Sequence, residues 1–151
     1  MKYKKEILVG LIIFAVLYPV VILLIGIAAA APIPAGYFDW YRSNDLIWLG
    51  LFILDLCTIY PASALPSLII TFVGIKLSAA KWLPVSCVVT VLYLGDTIYR
   101  EISFALKFPQ FAELIVIGYQ GYISMLVLPV FVFLGGFLTT KYFTKNSTKT
   151  K

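Results

Sequence analysis

The chain contains no histidine and only two cysteines in 151 residues. The first absence removes the commonest metal ligand, the usual haem ligand and the usual general base. Cys57 and Cys87 stand far apart, without the CxxC spacing of a thiol–disulfide relay, and read as small buried apolar residues. No glycine-rich phosphate loop follows a strand pattern, so nucleotide-driven work would need a partner. Neither a metal nor a cofactor is expected. Charge is scarce too, at 13% of residues.

What is present is apolar. Hydrophobic residues make up 62% of the chain and fall in four blocks, Ile7–Ala31, Leu46–Ile75, Trp82–Phe104 and Leu114–Thr140 (7–31, 46–75, 82–104 and 114–140). A bilayer core about 30 Å thick takes about 20 residues of helix, and each block reaches that length. The expectation is an all-α integral membrane protein, one four-helix transmembrane domain over 1–151 with a short basic tail at 141–151. The connections are too short for a soluble domain.

Net charge is +5, which often signals nucleic acid, but here the charges sort by side. Lys2, Lys4, Lys5, Lys76, Lys81, Lys141, Lys145, Lys149 and Lys151 fall on one face of the expected topology, against Arg42, Arg100 and Lys107 on the other. The positive-inside rule makes the first face cytoplasmic, with both termini there. No nucleic-acid partner is expected; the lipid bilayer is one, with a second membrane protein or further copies of the chain. The start MKYKKE followed by an apolar run resembles a signal peptide, but Ile7–Ile27 exceeds the about 7–15 residues of a cleavable one. An uncleaved first helix is expected, and a multi-pass protein of the bacterial inner membrane.

The first block is apolar apart from Tyr18, carries Pro19 near its middle, and offers Gly26 and Ala30 as a small-residue contact. The segment PIPAGYFDWYRSND that follows combines prolines with four aromatics suited to the headgroup level. It reads as an interfacial anchor or as a lid over a site below it. The second block is long, since thirty helical residues span about 45 Å. Pro61 and Pro66 predict that it is kinked or broken.

Polar groups in the spans mark the candidate site. Asp96 and Arg100, at i and i+4, share a helix face and can pair; Ser86, Tyr93 and Ser103 extend the stripe. Glu113, Gln120 and Ser124 form a second stripe, and Asp55 sits in the second block. Showing an ionisable group to lipid costs about 2.5–3.5 kcal/mol on insertion scales. Asp55, Asp96, Arg100, Gln120 and Glu113 are therefore expected to converge in the outer half. Three carboxyls against one guanidinium call for a protonated carboxyl, or for a shared cation, proton or water.

Four spans with outward-side aspartates resemble the plan of lipoprotein signal peptidases, which implies intramembrane aspartate hydrolysis. The motifs of that family are missing: Asp96 follows Gly95, and Asp55 follows Leu54. The favoured expectation is a non-enzymatic accessory, immunity-type or assembly protein acting through helix contacts. The alternative is an oligomeric transporter or channel for a small cation or for protons, using Asp55 and Asp96.

Overall fold

A computed structural model describes residues 3–109 and 119–147. Among them the chain is helical, with no strand. The helices are α1 (Lys4–Ala29), α2 (Tyr37–Ser43), α3 (Ile47–Cys57), α4 (Ile59–Ser78), α5 (Trp82–Lys107) and α6 (Tyr119–Ser147). Three stretches are long and apolar enough to cross a membrane: Lys4–Ala29, Leu49–Ser78 and Trp82–Lys107. In α6 the apolar part Met125–Lys141 is shorter, and residues 114–118 of the fourth block lie outside the described residues.

The long second block is interrupted at one residue. Helix α3 ends at Cys57, and α4 resumes at Ile59, with Thr58 between them at φ −119 and ψ −73. Pro61 explains the position: it has no N–H for the carbonyl four residues back, Cys57, and its ring crowds that carbonyl. The Thr58 side chain closes the end of α3 by donating from Oγ1 to the Leu54 carbonyl at 2.6 Å. Pro66 lies within α4 and does not end it. The last turn of α4 stops at Ala79, which takes a left-handed φ of 49.

Helix α4 packs against α1 and α6, and α5 packs against α1 and α6, while α4 and α5 barely touch. The four therefore form a ring in the order α1, α4, α6, α5. Lys5 Nζ donates to the Ala79 carbonyl at 3.5 Å, and Ile13 faces Gly74, so α1 and α4 run antiparallel. Gly10 faces Val88 and Tyr18 bonds Asp96; both pairs differ by 78 positions, so α1 and α5 run parallel and in step.

Glycine permits the closest approaches. A Cβ at Gly10 would stand 2.7 Å from Val88 Cγ1, and one at Gly135 would stand 2.5 Å from the Leu68 carbonyl oxygen. Gly26 has nothing within 4 Å of that point, so its expected small-residue contact is not made among the described residues. The core fills the axis of the ring with Ile13, Leu17 and Val21 of α1, Ile75 of α4, Val85 and Val89 of α5, and Leu128 and Val132 of α6. Leu8, Leu11, Val16 and Leu23 on α1 point outward, as lipid-facing residues do.

The charge sorting seen in the sequence becomes spatial. Tyr3, Ala79–Trp82, Thr139 and Thr140 line one recess, which brings the start of α1, the α4–α5 turn and the later part of α6 to one end of the ring. Lys4, Lys5, Lys76, Lys81 and Lys141 belong to that end. Arg42, Arg100 and Lys107 belong to the other, with Asp39, Asp45, Asp55, Asp96 and Glu101.

Candidate functional site

Asp96 and Arg100 do pair, with Arg100 Nε 2.9 Å from Asp96 Oδ2. The helical spacing alone places them together. A third group joins from α1: the Tyr18 hydroxyl donates to the same Oδ2 at 2.7 Å, and the guanidinium stands 5.1 Å from the centre of the Tyr18 ring. Tyr18 and Asp96 each lie fourteen residues, about 21 Å, from the start of their parallel helices, so they meet at one depth. Tyr18 was legible as the lone polar side chain of its block, but its partner was not.

The arrangement is a closed, neutral tie between α1 and α5. The Arg100 side chain is 54% exposed and that of Asp96 35%, so the guanidinium reaches outward while the carboxylate holds both donors. An ion pair this open contributes about 0–1 kcal/mol by itself; the interhelical tyrosine bond adds on the scale of about 0.6 kcal/mol typical in membranes. Ser86, on the same stripe, is fully buried and reaches the Val132 carbonyl of α6 at 3.5 Å.

Asp55 makes no contact with them among the described residues. It lines a cavity of about 430 Å³ with Ala28, Ala29, Pro32, Ile33, Tyr37 and Cys57 among its walls. Ala28 stands ten residues beyond Tyr18 along α1, about 15 Å further toward the C-terminal end of that helix. Asp55 was expected to converge with Asp96; among the described residues no contact joins the two, and α3, which follows the interruption at Thr58, makes its main packing contacts with α4 and α2.

The aromatic segment makes the roof of this cavity. Gly36, at a left-handed φ of 84, starts α2, and Tyr41 is buried against Gly50 of α3. Tyr37 donates its hydroxyl to the Gly50 carbonyl at 2.6 Å and stacks near Trp40 and Tyr41. Desolvation pushes the Tyr37 phenol up from its ordinary value, and Cys57 and Tyr41 act in the same direction. The hydroxyl therefore stays a donor. Of the two expectations for this segment, its residues supply both a surface of exposed Phe38 and Trp40 and a wall over Asp55.

Glu113 lies outside the described residues, as do the side chains of Gln120 and Ser124. A hydroxyl ladder on α4 was missed in the sequence. Ser63, Ser67 and Thr71, each four residues after the last, are buried; Ser63 Oγ donates to the Tyr60 carbonyl at 3.0 Å and Ser67 Oγ to the Ser63 carbonyl at 2.5 Å. Such bonds back onto the helix satisfy hydroxyls inside an apolar bundle. Thr71 Oγ1 and Thr90 Oγ1 have no partner among the described residues. The period of four was visible in SALPSLIIT, but the prolines drew the reading toward the kink.

Cys57 and Cys87 are both exposed free thiols, not the buried residues expected; in a bilayer an outward face still meets an apolar medium. No group of three or more carboxyl, thiol or imidazole side chains that would hold a metal occurs among the described residues. Comparison with protein-family models, curated proteins and solved structures finds no match to this chain.

Proposed function

We propose that this chain is a four-span protein that acts without catalysis, through contacts of its helices with another membrane protein or with a second copy of itself. This is the role of an accessory, immunity-type or assembly protein. The observation that carries the reading is the sealed axis. Leu17, Ile75, Val85, Val89, Leu128 and Val132 are at most 1% exposed and fill the space between the helices, where a solute path within one chain would have to run. Meanwhile Gly26 on α1 and Gly95 on α5 are exposed, with open space where a side chain would begin, and small residues of this kind let a neighbouring helix approach.

The packing of α6 on both α4 and α5 supports counting it as the fourth span, and the lysine-rich end supports a cytoplasmic location for both termini. A bacterial inner membrane suits the same charge rule. Proton- or cation-coupled transport is less well supported, because no contact among the described residues joins Asp55 to Asp96 and Asp96 is already paired with Arg100.

The experiment is co-purification of the full chain in mild detergent after in-cell crosslinking, with reporter fusions after Lys151 and within Pro32–Asp45. A stoichiometric partner or a homo-oligomer is expected, lost in Gly26→Leu or Gly95→Leu while the chain itself stays folded, and the two fusions should report opposite sides. A lone monomer that carries cations into proteoliposomes would overturn the contact reading, and matching fusion signals would overturn the topology.

A further inference from the structure

We propose that the cavity under α2 binds a lipophilic amine, its ammonium group on the Asp55 carboxylate and its apolar body against Ala28, Ile33 and Ile53. This binding is independent of the helix contacts proposed above: a chain that purifies alone can still take the amine.

Three observations define the ligand. The walls of the cavity are apolar apart from Asp55, Tyr37, Cys57 and Thr58, and two of those polar groups are committed, Tyr37 to the Gly50 carbonyl and Thr58 to the Leu54 carbonyl. Among the described residues Asp55 makes no hydrogen bond or ion pair, in contrast to Asp96 with its arginine, and no lysine or arginine lines the cavity. A carboxylate in an apolar recess without a protein cation selects a cationic ligand by charge complementarity.

The same walls reject the other cations. A hydrated metal ion needs about six oxygen ligands, and one carboxylate among aliphatic side chains cannot supply them. A zwitterionic headgroup would bring its phosphate to a place that has no basic side chain among the described residues and already holds a negative one. What remains is an amine without an anionic group, carrying an apolar chain. The cavity stands at the outer end of α1, where such an amphiphile concentrates with its charge near the headgroups and its chain inward, and the Tyr37 ring in the wall adds an aromatic surface of the kind ammonium groups favour.

Cys57 reports occupancy, because it is an exposed thiol in the wall of this cavity, while the exposed Cys87 on α5 lies outside it and serves as the internal reference. The full chain in phosphatidylcholine nanodiscs is treated with N-ethylmaleimide, with and without dodecylamine, and modification at each cysteine is followed by mass spectrometry. With the amine at about ten times its Kd, about a tenth of the sites stay open, so modification of Cys57 slows about tenfold by mass action; Cys87 keeps its rate. Dodecanol, with the same chain and no charge, protects weakly. Asp55→Glu retains the protection and Asp55→Asn loses it.

Equal protection by dodecanol, or undiminished protection by the amine in Asp55→Asn, overturns the proposal. So does phosphatidylethanolamine in the nanodisc protecting Cys57 as well as dodecylamine does, since that assigns the cavity to a phospholipid headgroup. If Asp55→Asn does not fold, the wild-type contrast between amine and alcohol decides. A rise in Tm with dodecylamine but not with dodecanol is the second readout, and its absence together with unprotected Cys57 also refutes the site.

Discussion

Tyr18 and Asp96 are joined by a 2.7 Å hydrogen bond at a sequence separation of 78, the same separation at which Gly10 meets Val88. One register therefore governs the parallel pair α1 and α5, from a glycine-permitted close approach at one depth to a polar tie two turns further out. In that tie the Arg100 guanidinium neutralises the Asp96 carboxylate.

That bond has a measurable strength. Tyr18→Phe removes the donor and keeps the ring, so the chain should lose about 0.6 kcal/mol, the average for interhelical hydrogen bonds in membranes, and no more than about 1.7 kcal/mol. A double-mutant cycle with Asp96→Asn, read from unfolding in detergent, should show non-additive losses. Strict additivity would mean that the two side chains do not interact.

Close packing of α4 on α6 rests on Gly135, since a Cβ there runs into the backbone of Leu68 rather than into a movable side chain. Gly135→Ala should cost about 1–3 kcal/mol, as overpacking does. Gly26→Ala meets open space and should leave the stability of the isolated chain unchanged or slightly raised, since alanine is the better helix former. Similar melting temperatures for the two variants would refute the α4–α6 contact.

The interruption at Thr58 follows from Pro61. In Pro61→Ala the Cys57 carbonyl regains a donor, and α3 and α4 should join into one helix. Spin labels at the exposed positions Leu49 and Leu77 would then separate toward about 42 Å, the length of twenty-eight helical residues. A label distance that does not change on replacing the proline assigns the break to another cause.

Relief of backbone strain gives an opposite sign. Ala79 holds a left-handed φ of 49, which costs a residue with a Cβ about 1–2 kcal/mol. Ala79→Gly removes that cost but gives back about 0.4–1 kcal/mol through the freer unfolded chain. A net gain of about 0.5–1 kcal/mol in unfolding free energy is expected, and a loss would show that the turn tolerates alanine without strain.

Much of this protein was legible before any fold was known, because its strongest signals are local. Twenty-residue apolar runs dictate helices wherever backbone groups lack water to bond, and lysine placement sorts the connecting segments by side. Asp96 and Arg100 pair because four residues bring side chains together on any helix, and a proline predicts where a helix fails. Each of these depends on residues within about a turn or two of one another, or on the bilayer acting on every residue alike.

Which groups meet across helices was a matter of tertiary structure alone. The sequence marked Asp55 and Asp96 as costly in lipid, and from cost alone expected them to converge; packing supplied Asp96 with Tyr18 and set Asp55 in the wall of a cavity with Tyr37, with no contact joining the two carboxyls among the described residues. The same holds for the glycines, where Gly26 looked suited to a contact and Gly10, Gly74 and Gly135 made them. Periodicity states which side of a helix carries a residue, but the neighbour it faces depends on the order of helices around the ring and on their relative shift along the axis. Those are set by how side chains of different sizes interlock over the whole bundle, and no short stretch of the chain contains that information.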